Sequence, residues 1–402
     1  MLGYQSTDGV PITINDWLLN DVLRGEWGYE GTLITDWDNT GRMVWEQNIF
    51  PDYTQASAAA VNAGNDMIMT TPNFFEGAQR AVEQGLIREE QLDAAVSHIL
   101  TVKFDLGLFE DPRLPSEQAQ AQYIYTPEHR RINLDIARRS IVLLQNDGTL
   151  PLLPAGAEGE NQKLRIAVVG PNADDAQTQL GDWAGNSGQV DWMPEGQPRE
   201  MITTVLDGLR ELSPAGSEIT YAQGARILEE GPNPDGEFFP DGQPRTLAAL
   251  PVSPDDALIS EAVAAAENSD VVVAVVGDRI ELVGETKSTA TLDLFGDQIA
   301  LLEALAATGK PMIVVLIASK PHVLPKSVQE AAAILWAGNP GMVGGTPLPR
   351  FCWARLSHLA VCRLASPCML VSSPPTTTRL RGSTAPATRT SPSSQPLRLG
   401  RV

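Results

Sequence analysis

No apolar run in this 402-residue chain approaches the ~18 residues that a membrane-crossing helix needs, and no basic stretch leads into an apolar one at Met1. As written, the chain is expected in the cytoplasm, away from membranes; a signal peptide ahead of Met1 in a longer chain would change that compartment. Cysteine is nearly absent. The three residues Cys352, Cys362 and Cys368 stand ten and six apart, a count and spacing that fit neither a disulfide framework nor a zinc site. Histidine is rare too, and His98, His129 and His322 sit far apart on helical or loop sequence, so no metal or triad role is assigned to them. Neither a metal nor an organic cofactor is expected. Basic charge is in short supply: 29 Lys and Arg face 50 Asp and Glu, a net charge of -21 that would repel phosphate backbones and anionic lipid. Nucleic acid is therefore excluded as an expected partner.

The deficit reverses near the end of the chain. From Thr346 to Val402 there is no Asp, Glu or Lys, and eight Arg carry all the charge, so the preceding residues hold 21 basic groups against 50 acids. This stretch also holds all three Cys and is crowded with Ser, Thr and Pro, as in SSPPTTT and TSPSSQP. Residues 346–402 are expected to be an aberrant, low-complexity, disordered tail.

Hydrophobic residues make up 43% and charged residues 20%, the balance of a globular protein with room for two or three domains. Residues 1–112 alternate strand and helix. The segment 1–4 reads as the end of a strand, and Asn15 is placed to cap a helix through WLLNDVLR. TLIT is a β-branched apolar run too short for a helix, and NDMIMT follows an Ala-rich helix ending at Gly64. A further helix spans about 73–84, and in EEQLDAAVSHIL the positions Leu92, Ala95, Val96 and Ile99 mark one helical face. Residues 113–130, rich in Pro and polar groups, suit a linker. Residues 131–345 bring the apolar runs IVLLQ, LRIAVVG, DVVVAVVG, MIVVLIAS and AAILWAG, separated by helical stretches, which is again an α/β pattern. The turn AVVGPNADD lacks the G-x-G-x-x-G fingerprint of a dinucleotide site.

Strand-helix alternation makes parallel strands, and ligands of such sheets sit at the strands' carboxyl ends. Asp36, in LITDWDNT, ends such a strand. The competing expectation is that Asp36 or Asp38 caps the next helix near Gly41.

Longer stretches now point to a family. DGVPITINDWLLNDVLRGEWGYEGTLITDWDNTGRMV with AVNAGNDMIM resembles the nucleophile region of family 3 glycoside hydrolases, in which a strand runs into Ser/Thr-Asp-Trp. ARRSIVLLQNDGTLPL, GKPMIVVLIASKPHVLP and ILWAGNPGMVGG are similar to that family's second domain, and the resemblance covers 1–345. It implies the carboxyl-terminal part of a (β/α)8 barrel over 1–112 followed by an α/β sandwich over 131–345. It implies a retaining, exo-acting β-glycoside hydrolase, foremost a β-glucosidase, working on β-linked glucosides or short oligosaccharides. Asp36 falls on the nucleophile. The acid/base falls on Glu285, in GDRIELVGETKSTATLDLFGDQIALL, although Lys287, Ser288 and Thr289 stand where the family commonly has an Arg, so Glu281 remains a competitor and an ordinary exposed loop Glu remains an alternative. Trp37 is implied as a stacking surface and Tyr4 as part of the sugar subsite, with core packing the plain alternative for both.

The resemblance also carries expectations of damage. A (β/α)8 barrel needs eight strands, and residues 1–112 supply about three, so the chain is expected to be truncated at its amino terminus. Back-translation of 347–363 in a shifted frame permits AAAILLGEAEPSGRLP, similar to the family's next segment, which points to a frameshift near Gly345. The alternatives to a β-glucosidase are β-xylosidase specificity, an inactive remnant, and a non-catalytic sugar-binding piece.

Overall fold

The computed structural model describes residues 1–152, 163–182, 184, 196–240, 242, 244–245, 247–284 and 287–348, together with the backbone of Ala360 and Val361. The chain opens with a short antiparallel hairpin, β1 (Ser6–Thr7) and β2 (Val10–Pro11). A π-helical segment, Trp17–Glu26, comes next, with Asn15 Oδ1 accepting the Leu18 N–H at 3.1 Å, so the expected cap is present on a wider helix. Four α-helices complete the amino-terminal part: α1 (Asn39–Trp45), α2 (Tyr53–Asn62), α3 (Phe74–Glu83) and α4 (Glu89–Asp105).

The three strands expected here are reduced to their pairing contacts. Leu2 donates its N–H to Ile34 O at 2.9 Å, Thr35 donates to Met67 O at 3.0 Å, and Ile34 and Met67 form a parallel bridge. The segments are too short for ladders, but those around Ile34 and Met67 run side by side in one direction. Their starts are tied by Asp66, whose carboxylate accepts the Leu33 N–H at 2.7 Å and Arg24 at 3.0 Å and contacts His98 Nδ1 at 2.8 Å. Leu2, Leu19, Leu33 and Ala63 pack beneath them.

Helix α4 departs from its expected amphipathic docking. Leu92 leans on Ala58, Val61, Ala81 and Ile87, but no residue of the helix is fully buried and Val96 is 53% exposed. The segment expected as a linker is not irregular throughout. It holds α5 (Glu117–Tyr123), capped by Ser116, and the start of α6 (Pro127–Ser140), where Thr126 accepts the His129 N–H and Pro127 takes the first helical position, which needs no donor.

After α6 come β3 (Val142–Asn146), β4 (Arg165–Val169), α7 (Val205–Leu212), β5 (Glu218–Ala222), the pair β6 (Glu229–Gly231) and β7 (Ala248–Leu250), α8 (Asp256–Glu267), β8 (Val271–Gly277), α9 (Gln298–Ala307), β9 (Met312–Ile317), β10 (Ala333–Gly338) and β11 (Ala360–Val361). Seven of these strands form one sheet, ordered β11-β3-β10-β9-β8-β4-β5. From β10 to β5 the neighbours are parallel, whereas β3 lies antiparallel to β10. Of the tail, only 346–348 and the backbone of Ala360 and Val361 fall among the described residues. Those last two are paired with β3, and the rest of the stretch expected to be disordered lies outside the described residues.

The sheet is buried on both faces. Val271, Val273 and Val275 join Ile166, Val168, Ile313 and Leu206 of α7 on one side. Val272, Ala274 and Val276 join Val314, Ala262 of α8 and Leu302 of α9 on the other. This explains why β8 reads as an unbroken VVVAVVG instead of alternating. Its start is pinned to β4 by Asp270, which accepts the Arg165 backbone N–H at 2.9 Å and pairs with the Arg165 guanidinium at 2.6 Å. Those hydrogen bonds hold the Asp270 carboxyl down to about 2.

Two outcomes follow from this packing. Leu302→Ala, at a fully buried site, is expected to cost about 2–5 kcal/mol in denaturant unfolding, whereas Val96→Ala should stay within about 0.5 kcal/mol. Because the Asp270 pKa is depressed, its pairing stabilises fully above the unfolded carboxylate pKa of about 4 and is lost as pH falls toward 2. The stability–pH curve of Asp270→Asn should accordingly be flatter over that window.

Candidate active site

The sequence placed a carboxylate at the end of TLIT, and the structure shows what surrounds it. Leu33 and Thr35 are buried, and Thr35 Oγ1 accepts the Met69 N–H at 2.8 Å, locking two neighbouring segments together at their carboxyl ends. Asp36 follows, half-buried, with Oδ1 accepting the N–H of Trp37 at 2.8 Å. Trp37 is 41% exposed.

Neither acid of Asp-Trp-Asp caps α1. Asp38 stands at the capping position but makes no side-chain cap bond. It is 1% exposed, in the left-handed region at φ 53, and its Oδ2 accepts the Trp45 indole N–H at 2.9 Å. Gly41 makes room for that arrangement, because a Cβ there would run into the Asp38 carboxylate. The two acids thus divide: Asp38 is committed to the interior and Asp36 is presented.

Tyr4 lies two residues beyond Leu2, as Asp36 lies two beyond its partner Ile34. Arg42 of α1 sits over the Tyr4 ring at 4.6 Å and over the Trp45 ring at 5.2 Å. Asn39 ties the same corner, its amide donating to Leu2 O, Gly3 O and Thr13 Oγ1 at 3.1–3.3 Å. Sequence reasoning passed over Asn39 and Arg42, although both lie in the DWDNTGR stretch it singled out.

The second candidate carboxylate belongs to the loop after β8. Glu285 falls outside the described residues; Glu281 and Gly284, before it in sequence, lie within them. Glu281 sits in a 3-10 turn, Ile280–Leu282, and is engaged by Arg279 in a two-pronged pair of 2.6 and 3.0 Å. Burial works against the Arg279 charge, but Glu281, with Asp175 and Glu230 farther off, more than restores it and holds the guanidinium above its ordinary value. Both Glu281 carboxylate oxygens are thus taken up by the Arg279 guanidinium. Gly284 has φ +95 and lies so close to Asp182 that a Cβ would collide with its carboxylate.

The histidines resolve into local partners. His98 contacts Asp66, and His322 contacts Asp278 Oδ1 at 3.1 Å. Among the described residues no group of His, Cys, Asp and Glu is placed to hold a metal, and no helix is long and apolar enough to cross a membrane. A cleft of about 420 Å³ lies between Tyr125, Arg130, Leu180 and Met201, and its described lining holds no Asp or Glu.

Two strand-end loops offering carboxylates, one in each half of the chain, call for comparison with known proteins. The Glycosyl hydrolase family 3 N terminal domain matches residues 1–102 and the family's C-terminal domain matches residues 141–352. The chain belongs to glycoside hydrolase family 3. It is 34% identical over 353 residues to the "Periplasmic beta-glucosidase" of Salmonella typhimurium, covering 87% of this chain and 43% of that protein. To the "Beta-xylosidase" of Formosa agariphila it is 33% identical, with 86% and 44% covered. Among solved structures, a β-glucosidase involved in saponin metabolism from intestinal bacteria is 56% identical with TM-score 0.80, covering 88% of this chain and 48% of that one. This family 3 chain therefore spans less than half the length of these relatives.

Gly41→Ala tests the division between Asp36 and Asp38. Ala in a helix gains up to about 1 kcal/mol over Gly, but overpacking against Asp38 costs about 1–3 kcal/mol. The variant should melt lower, with altered Trp45 fluorescence.

Proposed function

We propose that this chain carries the catalytic carboxylates of a retaining, exo-acting β-glycoside hydrolase of the β-glucosidase type. The observation that carries the reading is the half-buried Asp36 at the carboxyl end of parallel segments, presented beside exposed Trp37 while Asp38 is withdrawn into the interior. Asp36 is the nucleophile: it attacks the anomeric carbon and forms a covalent glycosyl-enzyme, which water opens with net retention. Glu285 is the acid/base, protonating the leaving oxygen and then activating the water; the engagement of Glu281 by Arg279 supports that choice over its neighbour. Retention asks that the two carboxyl groups approach to about 5 Å across the sugar. Trp37 stacks on a sugar or aglycone, and Tyr4, steadied by Arg42, lines the sugar subsite.

In architecture we take residues 1–112 as the carboxyl-terminal part of a (β/α)8 barrel and 131–345 as an α/β sandwich, joined through 113–130. β-Linked glucosides are the proposed substrates, supported by the β-glucosidase relatives. A β-xyloside is the second reading, supported by the Formosa relative's name. The Salmonella relative is named as periplasmic.

The test is hydrolysis of aryl β-glucoside and aryl β-xyloside by the purified chain and its variants. Asp36→Asn is expected to lower turnover at least about a thousandfold. Glu285→Ala should be rescued by azide on substrates with good leaving groups. Near-normal activity in Asp36→Asn, or rescue at Glu281 instead of Glu285, overturns the assignment, and a better rate on the xyloside selects the second reading.

A further inference from the structure

A second acid ends a strand in this chain, and it is the more deeply buried. Asp278 directly follows β8 and is 1% exposed, against the half-buried Asp36. Three donors from the loop after β9 converge on its carboxylate. Oδ1 receives Lys320 Nζ at 3.0 Å and His322 Nε2 at 3.1 Å, and Oδ2 accepts the Ser319 backbone N–H at 3.2 Å. The backbone of Asp278 is held as well: its N–H donates to Ile317 O at 3.0 Å, and its carbonyl accepts Asn172 Nδ2, from the loop after β4, at 2.7 Å. Loops at three parallel strand ends thus meet on one residue.

The cluster reaches forward along the chain. Lys320 Nζ also donates to Leu282 O at 3.3 Å, at the last residue of the 3-10 turn, and His322 Nδ1 lies 3.0 Å from Leu292 O. The loop after β9 therefore holds Asp278, Leu282 and Leu292. Burial alone would push the Asp278 carboxyl up, but His322 and Lys320 outweigh it and hold it below its ordinary value, so it remains an acceptor for all three donors. A buried ion pair adds little stability over apolar side chains of the same volume, because both ions lose their hydration. What it supplies in full is direction, since misplacing either partner leaves a charge unpaired.

We propose that Asp278, Lys320 and His322 form a positioning network that fixes the segment 279–284, which leads in sequence directly into Glu285, the acid/base carboxylate of the proposed reaction. None of the three is a catalytic residue. The role assigned to that carboxylate rests on the glycosidase reading; the tethering of the segment does not.

Hydrogen–deuterium exchange on the 402-residue chain tests the tethering without any need for turnover. The reporting amides are Leu282 and Val283, which donate within the turn to Arg279 O and Ile280 O. Asp278→Asn and Lys320→Met are expected to speed exchange across 279–284 about tenfold or more, with β8 and β9 peptides unchanged. His322→Gln, which keeps a donor, should stay near wild type. Unchanged exchange at 279–284 in both variants overturns the proposal. So does equal acceleration in β8 and β9, which would make the cluster a stabiliser of the sheet. Should Asp278→Asn fail to fold, Lys320→Met decides alone. Where the chain turns over glycosides, Lys320→Met should depress kcat/KM for alkyl β-glucosides more than for dinitrophenyl β-glucoside, whose leaving group needs no proton. A chain without turnover sinks the glycosidase reading, while the exchange result still decides the network.

Discussion

Parallel pairing is the constraint on which the rest of this structure depends. Strands that run in one direction deliver all their following loops to one side, so the chemistry-bearing residues gather there without any further instruction. In the sheet, β4, β8, β9 and β10 obey this with full ladders, each buried on both faces. In the amino-terminal part the same rule holds through little more than the bridge between Ile34 and Met67. Asp66 anchors the opposite ends of those segments, leaving the carboxyl end of the Ile34 segment to Asp36 and Trp37.

What distinguishes the carboxylates is their partners. Asp38 gives an oxygen to the Trp45 indole, Asp278 is gripped by Lys320 and His322, and Glu281 lies in the Arg279 fork. Each of these is spent on holding structure. Asp36 accepts the N–H of the next residue and remains half-exposed, the condition under which a carboxylate can serve as a nucleophile.

Much of this was legible in the sequence, because apolar period and strand-end acids are local signals. The runs at β3, β4, β8, β9 and β10 were readable as buried strands, and Asp36 as the end of one. Other features were not local. β5, in SEITYA, alternates exposed and buried residues and carries a Glu and a Thr, so it did not register as a strand until β4 paired with it. The reversal of β3 against β10 depends on the path of the intervening chain. Val96 was assigned to a packed face on spacing, but the half-buried side of α4 runs through Leu92, Ala95 and Ile99, and Val96 turns away from it. Asp278 follows an unbroken apolar strand, the same signal that drew attention to Asp36, and its meaning emerged only when Lys320 and His322, some forty residues away in sequence, closed on it.

The central claim is that Asp36 attacks the anomeric carbon, and trapping the covalent intermediate tests it most directly. The purified chain would be incubated with a 2-deoxy-2-fluoro-β-glucoside bearing a good leaving group, digested, and its peptides weighed. The account predicts a fluoroglucosyl adduct on the peptide containing LITDWDNT, at Asp36. An adduct on another carboxylate, or none on folded protein, would contradict it.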